Sequence, residues 1–132
     1  MRNYLWVAVG GALGSVGRYW LSGLVANWRG ETFPWGTLFV NASGSFLIGL
    51  LAALSSVDGR WLAPNWFRPF LLVGVLGGYT TFSSFSLQTL NLAQEGEWLR
   101  AGGNILLSVA LCLVGVWLGH LLGTEFNSTR GH

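Results

Sequence analysis

The sequence predicts an all-α membrane protein built from four transmembrane helices, and three observations carry that expectation. Of 132 residues, 52% are hydrophobic. Only 9% are charged, seven arginines against five carboxylates, about a third of the share usual in soluble domains. Those charges leave long uncharged runs, 32–57 and 69–94 of 26 residues each and 101–124 of 24. About 20 helical residues at roughly 1.5 Å rise cross a hydrocarbon core of about 30 Å, so each run is long enough. A fourth run, 3–28, is interrupted only by Arg18.

Four spans use nearly all of 1–132, which is therefore expected to be a single transmembrane domain. A soluble enzyme domain, a disordered tail and a disulfide scaffold are excluded, and no enzymatic role is expected. A net charge of +2 from scattered arginines makes no footprint for nucleic acid. Cys112 lies inside the last run without a partner and reads as a small apolar packing residue. Arg2 followed by the apolar stretch 4–16 also fits a secretory signal peptide. Apolar character resumes at 19–28 and no soluble domain follows, so the stretch is read as a retained first helix.

Helices are expected at about 4–27, 33–56, 67–94 and 99–122, joined by short connections rich in Gly, Pro, Asn, Asp and Glu. Trp28, Trp35, Trp61, Trp66 and Trp98 fall near the proposed interfaces as an aromatic belt. With an even helix number, Arg2, Arg60, Arg68 and Arg130 lie on one side against Arg29 and Arg100 on the other. So small a bias mildly favours cytoplasmic termini and also admits insertion in both orientations.

In the first helix, Arg18 is the one charge well inside a span. It either draws anions into an aqueous vestibule or snorkels to the interface. In the second, Thr37, Asn41 and Ser45 recur at i+4, placing an amide and two hydroxyls on one face. Asn41 can donate to a dehydrated anion or bond a neighbouring helix.

The third helix holds Gly77-Gly78-Tyr79-Thr80-Thr81-Phe82-Ser83-Ser84-Phe85-Ser86, where paired glycines and threonines weaken helix near the middle of the run. A break at mid-membrane depth is tolerated only where protein or a watery cavity satisfies it, and its freed carbonyls suit a cation. Glycines that merely let a neighbouring helix approach are the competing reading. Beyond the break two rows separate at helical spacing: Phe82, Phe85 and Thr89, and Thr81, Ser84 and Gln88. Ring edges are positive and hydroxyls and amides donate, so the rows suit an anion; simple packing is the alternative for the rings.

In the fourth helix Asn104 and Ser108 repeat the i+4 polar motif, and His120 lies in the last turn as an interfacial residue. Glycine is abundant at 20 residues and recurs at i+4 in Gly10 and Gly14, Gly74 and Gly78, Gly115 and Gly119, and Gly119 and Gly123. Such faces bring helices close in lipid, either between chains in an expected oligomer or within one monomer. No Asp, Glu or Lys lies within the spans, which favours passive conduction of an anion over proton-coupled transport.

These residues resemble the Fluc (CrcB) fluoride channel family. The resemblance rests on Gly10-Gly11 through Gly14 to Arg18 and Tyr19, on Trp35-Gly36-Thr37-Leu38 with Val40-Asn41 and Gly44, and most specifically on the Gly77-Gly78 to Ser86 string. It implies an antiparallel, dual-topology homodimer in the bacterial inner membrane, with two fluoride pores and a central structural sodium ion. By motif, Gly77 and Thr80 would give backbone carbonyls to sodium. Phe82, Phe85 and Asn41 look like pore residues, Arg18 like the first-helix arginine and Ser108 like the fourth-helix pore hydroxyl. Three positions depart from the pattern: Gln88 replaces a frequent Glu, Ser84 a common Thr, and Asn104 an aromatic or His. Conduction is still expected, because Gln88 donates through its amide without repelling an anion.

Overall fold

A computed structural model describes residues 1–56 and 63–129. Among them the elements are all helical: α1 (Arg2–Arg29), α2 (Trp35–Leu54), a π-helical run Arg68–Leu76, the single turn α3 (Gly77–Tyr79), α4 (Phe82–Gln94) and α5 (Trp98–Thr129). Arg60, Trp61 and Arg130, which enter the arginine tally and the aromatic belt, lie outside the described residues.

Three stretches are both long and apolar enough to cross a bilayer: Trp35–Leu54, Arg68–Gln94 taken through its break, and Trp98–Thr129. At 28 residues α1 has the length, but Arg18 and its tyrosines, tryptophans, glycines and serines dilute its apolar character. It stands beside the other three as a fourth helix.

Helix ends follow local chemistry. The α4 end carries the Gly-terminated pattern in which Gly96, at φ +79°, lets two amides turn back on the last carbonyls: Gly96 N to Ala93 O at 3.1 Å and Glu97 N to Leu92 O at 2.8 Å. That turn folds α5 back against α4. The α5 helix runs to Thr129, past its expected end at 122, because the polar residues after Gly123 include no helix breaker. Asn127 Nδ2 then fastens the extension by donating to the Ala53 carbonyl at 3.0 Å.

The chain packs as two pairs, α2 along α5 and α1 along the π-helical run. Glycine explains the closeness of both. A side chain at Gly49 would overlap the Val116 carbonyl and one at Gly119 the Phe46 carbonyl. Gly10 and Gly14 meet the Phe70 and Val75 carbonyls in the same way, and Gly78 lies against the Gly11 backbone. The spaced glycines thus serve packing within one chain. The alternative use of these faces, contact between chains, is not the one the geometry makes of them, since their approach surfaces are already filled.

Candidate functional site

The break lies at Thr80 and Thr81, not at the glycines. Gly77 keeps helical dihedrals (φ −63°, ψ −38°), whereas Thr80 (φ −84°, ψ 154°) and Thr81 (φ −150°, ψ 117°) are extended. Thr81 then serves as the N-cap of α4, its hydroxyl oxygen accepting the Ser84 amide at 3.1 Å. β-Branching makes threonine a poor helix former and its hydroxyl makes it a good cap, so the Thr-Thr pair both ends one helix and starts the next.

Extended backbone in a helical bundle needs partners, and α2 supplies them. Asn41 Oδ1 accepts the Thr81 amide at 2.7 Å while Asn41 Nδ2 donates to the Thr81 carbonyl at 2.9 Å. The side-chain amide imitates a neighbouring strand. Its second N–H remains for the cavity that Asn41 lines. Ser43 and the Tyr79 hydroxyl meet at 2.8 Å two residues on, and Gly44 leaves the room into which Thr80 and Tyr79 settle. From α1, Arg18 Nε donates to the Gly78 carbonyl at 3.1 Å. Arg18 is thereby tied to the break through its Nε.

The break leaves the carbonyls of Gly77, Gly78, Tyr79 and Thr80 without helical donors, and of these Gly78 has Arg18 instead. The Thr81 amide, which in a continuous helix would bond Gly77 O, goes to Asn41, and the Ser84 amide, which would bond Thr80 O, goes to the Thr81 hydroxyl. Gly77 and Thr80 both line an open cavity of about 320 Å³. Replacing Asn41 by Ala strips the Thr81 amide and carbonyl of their partners. An expected loss of roughly 1–3 kcal/mol is to be read from thermal unfolding in detergent, and an unchanged transition would mean that α2 does not hold the break.

The same cavity gathers Asn41, Thr81, Phe82, Phe85 and Ser108 with Ser45 and Cys112. The Phe82 and Phe85 rings stand 5.2 Å apart, tilted by 49°. Phe82 is 78% exposed, so one chain alone does not enclose it. Gln88 lies elsewhere, on a second cavity of about 600 Å³ with Tyr19, Ser22, Thr37 and Arg100. Its Oε1 is buried without a hydrogen-bond partner. Ser84 and Arg18 line neither cavity. On the polar face of α2, Thr37 lines the second space and Asn41 and Ser45 the first.

Two contributions escape the sequence reading. The Ser43–Tyr79 pair spans 36 residues, and no local pattern marks either partner. Asn104, visible in the sequence as half of an i+4 motif and as a departure from the family pattern but without a partner on α4, reaches across and donates to Thr89 Oγ1 at 2.9 Å.

The family model described as "CrcB-like protein, Camphor Resistance (CrcB)" matches residues 5–120. The chain is 61% identical over 131 residues to "Fluoride-specific ion channel FluC" of Opitutus terrae, covering 99% of each chain. It is 64% identical over 119 residues to the protein of the same name from Rhodospirillum rubrum, covering 90% of this chain and 92% of that one. The match to the Methylocella silvestris protein, also so named, is 52% over 129 residues and 98% of each chain.

Proposed function

The chain belongs to the CrcB-like family, and from that membership we propose that it is a fluoride-selective passive channel carrying fluoride out of the cytoplasm across the bacterial inner membrane. The observation that carries this reading is the joining of two phenylalanine rings to an amide and two hydroxyl groups on one open cavity: Phe82 and Phe85 with Asn41, Thr81 and Ser108. Ring edges bear positive potential, and amide and hydroxyl protons complete a set of contacts that a small anion can exchange for water. Width and donor spacing then discriminate against larger anions.

All four helices span the membrane in this reading, α1 included. The exposure of Phe82 supports a second copy, since a channel wall made by one chain would leave the ring uncovered. An antiparallel partner brings two breaks together on a twofold axis and closes a pore on each side. Among the described residues, Arg2 and Arg68 on one side balance Arg29 and Arg100 on the other, which suits insertion in both orientations.

The Gly77 and Thr80 carbonyls, deprived of helical donors, fit a sodium ion. Two from each chain would hold it on the axis, where its charge balances the carbonyl dipoles without moving. Gln88 faces the wider cavity, which Glu31, Glu95 and Glu97 line beside Arg100, and its neutral amide adds no further negative charge there. Arg18, by satisfying Gly78 O, steadies the turn that precedes the break.

The test is fluoride efflux from liposomes holding the purified protein, followed with a fluoride electrode and repeated with chloride. Rapid efflux of fluoride but not chloride, with no proton gradient, is the expected result. Efflux that depends on a proton gradient would point to a coupled exporter. No efflux from folded protein would leave a non-transporting membrane subunit.

A further inference from the structure

Asn104 is buried, 2% exposed, and its side chain stands between two hydroxyls on different helices. Ser108 Oγ donates to Asn104 Oδ1 at 3.3 Å, Asn104 Nδ2 donates to Thr89 Oγ1 at 2.9 Å, and Thr89 Oγ1 donates to the Phe85 carbonyl at 2.7 Å. The four groups form one directed chain from α5 to α4. In this direction the single Ser108 proton is committed to Asn104, and Ser108 presents only lone pairs to the cavity it shares with Phe85.

An amide is nearly isosteric about its axis, so the chain has a second direction. With the amide turned, Nδ2 donates to Ser108 Oγ and Oδ1 accepts the Thr89 proton. The Phe85 carbonyl then gives up only a side-chain donor. Every buried side-chain group keeps a partner, yet the Ser108 proton is released to the cavity. The turned direction has one hydrogen bond fewer, which an anion accepting the Ser108 proton restores, so the two directions differ in what the cavity receives.

We infer that Asn104 is a positioning residue that acts through Ser108: turning its amide converts Ser108 from acceptor to proton donor as an anion arrives. The inference rests on the channel reading above. It assigns a role to the one position of α5 that combines nearly complete burial with hydrogen bonds to side chains of two helices.

The test is a double-mutant cycle on fluoride efflux with Asn104→Leu, Ser108→Ala and the pair, all neutral changes. Each single variant is expected to lose roughly tenfold, about what one hydrogen bond to an ion supplies: Ser108→Ala has no proton to give, and in Asn104→Leu the Ser108 hydroxyl, with no amide N–H to hold it toward the cavity, bonds the carbonyl one turn back along its own helix. The double variant is expected to fall no further than the weaker single, because the change at position 104 has nothing left to act on once the hydroxyl is gone. Losses that multiply to about a hundredfold, or an Asn104→Leu variant as fast as the parent, overturn the inference while leaving the channel reading intact. A parent protein that passes no fluoride overturns the channel reading and this inference with it. Should Asn104→Leu fail to fold, the parent protein labelled with ¹⁵N-asparagine decides. The Asn104 side-chain resonance, assigned by its loss in Asn104→Gln, is expected to shift on adding fluoride and not chloride, and an unmoved resonance overturns the inference.

Discussion

Phe82→Ile and Phe85→Ile are each expected to abolish fluoride efflux while the purified protein keeps its elution volume and melting behaviour. Isoleucine keeps the apolar character and most of the volume, so packing changes little. What it removes is the quadrupole, and with it the positive edge that can face an anion. By analogy with desolvated ion–ring contacts, each ring is worth about 2 kcal/mol, or roughly thirtyfold in rate, and a path with no substitute contact loses more. Phe82 gives the cleaner result, because its ring is 78% exposed and holds little of the monomer together. Unchanged efflux in both variants would remove the rings from the conduction path and reduce them to a packed pair.

Gly14→Val is expected to have the largest effect on stability. A Cβ there would overlap the Val75 carbonyl and come within 2.9 Å of the Tyr79 amide nitrogen, both backbone atoms that cannot swing away. Overpacking of this kind usually costs about 1–3 kcal/mol, and with rigid backbone opposite the cost belongs at the upper end or beyond. The strain also falls one residue before the break, so the Asn41 clamp loses its register. Gly17→Val is the matched control, since a Cβ at Gly17 meets nothing within 4 Å. Thermal unfolding in detergent should show a collapse for the first and little change for the second; equal behaviour would mean that α1 does not approach the third stretch as closely as described.

The helical class is legible in the sequence because charge is so sparse that the uncharged runs mark the long stretches almost by themselves. The break is legible too, because paired glycines and paired threonines both weaken helix there, but the residue pattern does not say which pair carries it: the extended residues are the two threonines. Gly77 stays helical, and Gly78 serves close approach to Gly11. The π-helical winding of Arg68–Leu76 leaves no mark in the residue pattern. Asn41 stands out as a polar group on an apolar face, yet its bonds to Thr81 join positions 40 residues apart, a distance over which periodicity carries no information. For the same reason Gln88 can be placed in a row with Thr81 and Ser84 from spacing alone, but not assigned to a separate cavity.

The break also bears on how such a chain can be assembled. The α4 helix has 13 residues, about 20 Å of helix, and cannot cross a bilayer by itself. Both halves must therefore enter lipid as one stretch, carrying a gap of unpaired peptide groups. Ribosomal synthesis runs from the N-terminus, so Asn41 has emerged 40 residues before Thr81 and is already in place when the gap arrives. Swapping the order of these two segments, as a circular permutation would, sends the gap in ahead of its partner and exposes bare peptide to hydrocarbon, where each unsatisfied group costs several kcal/mol.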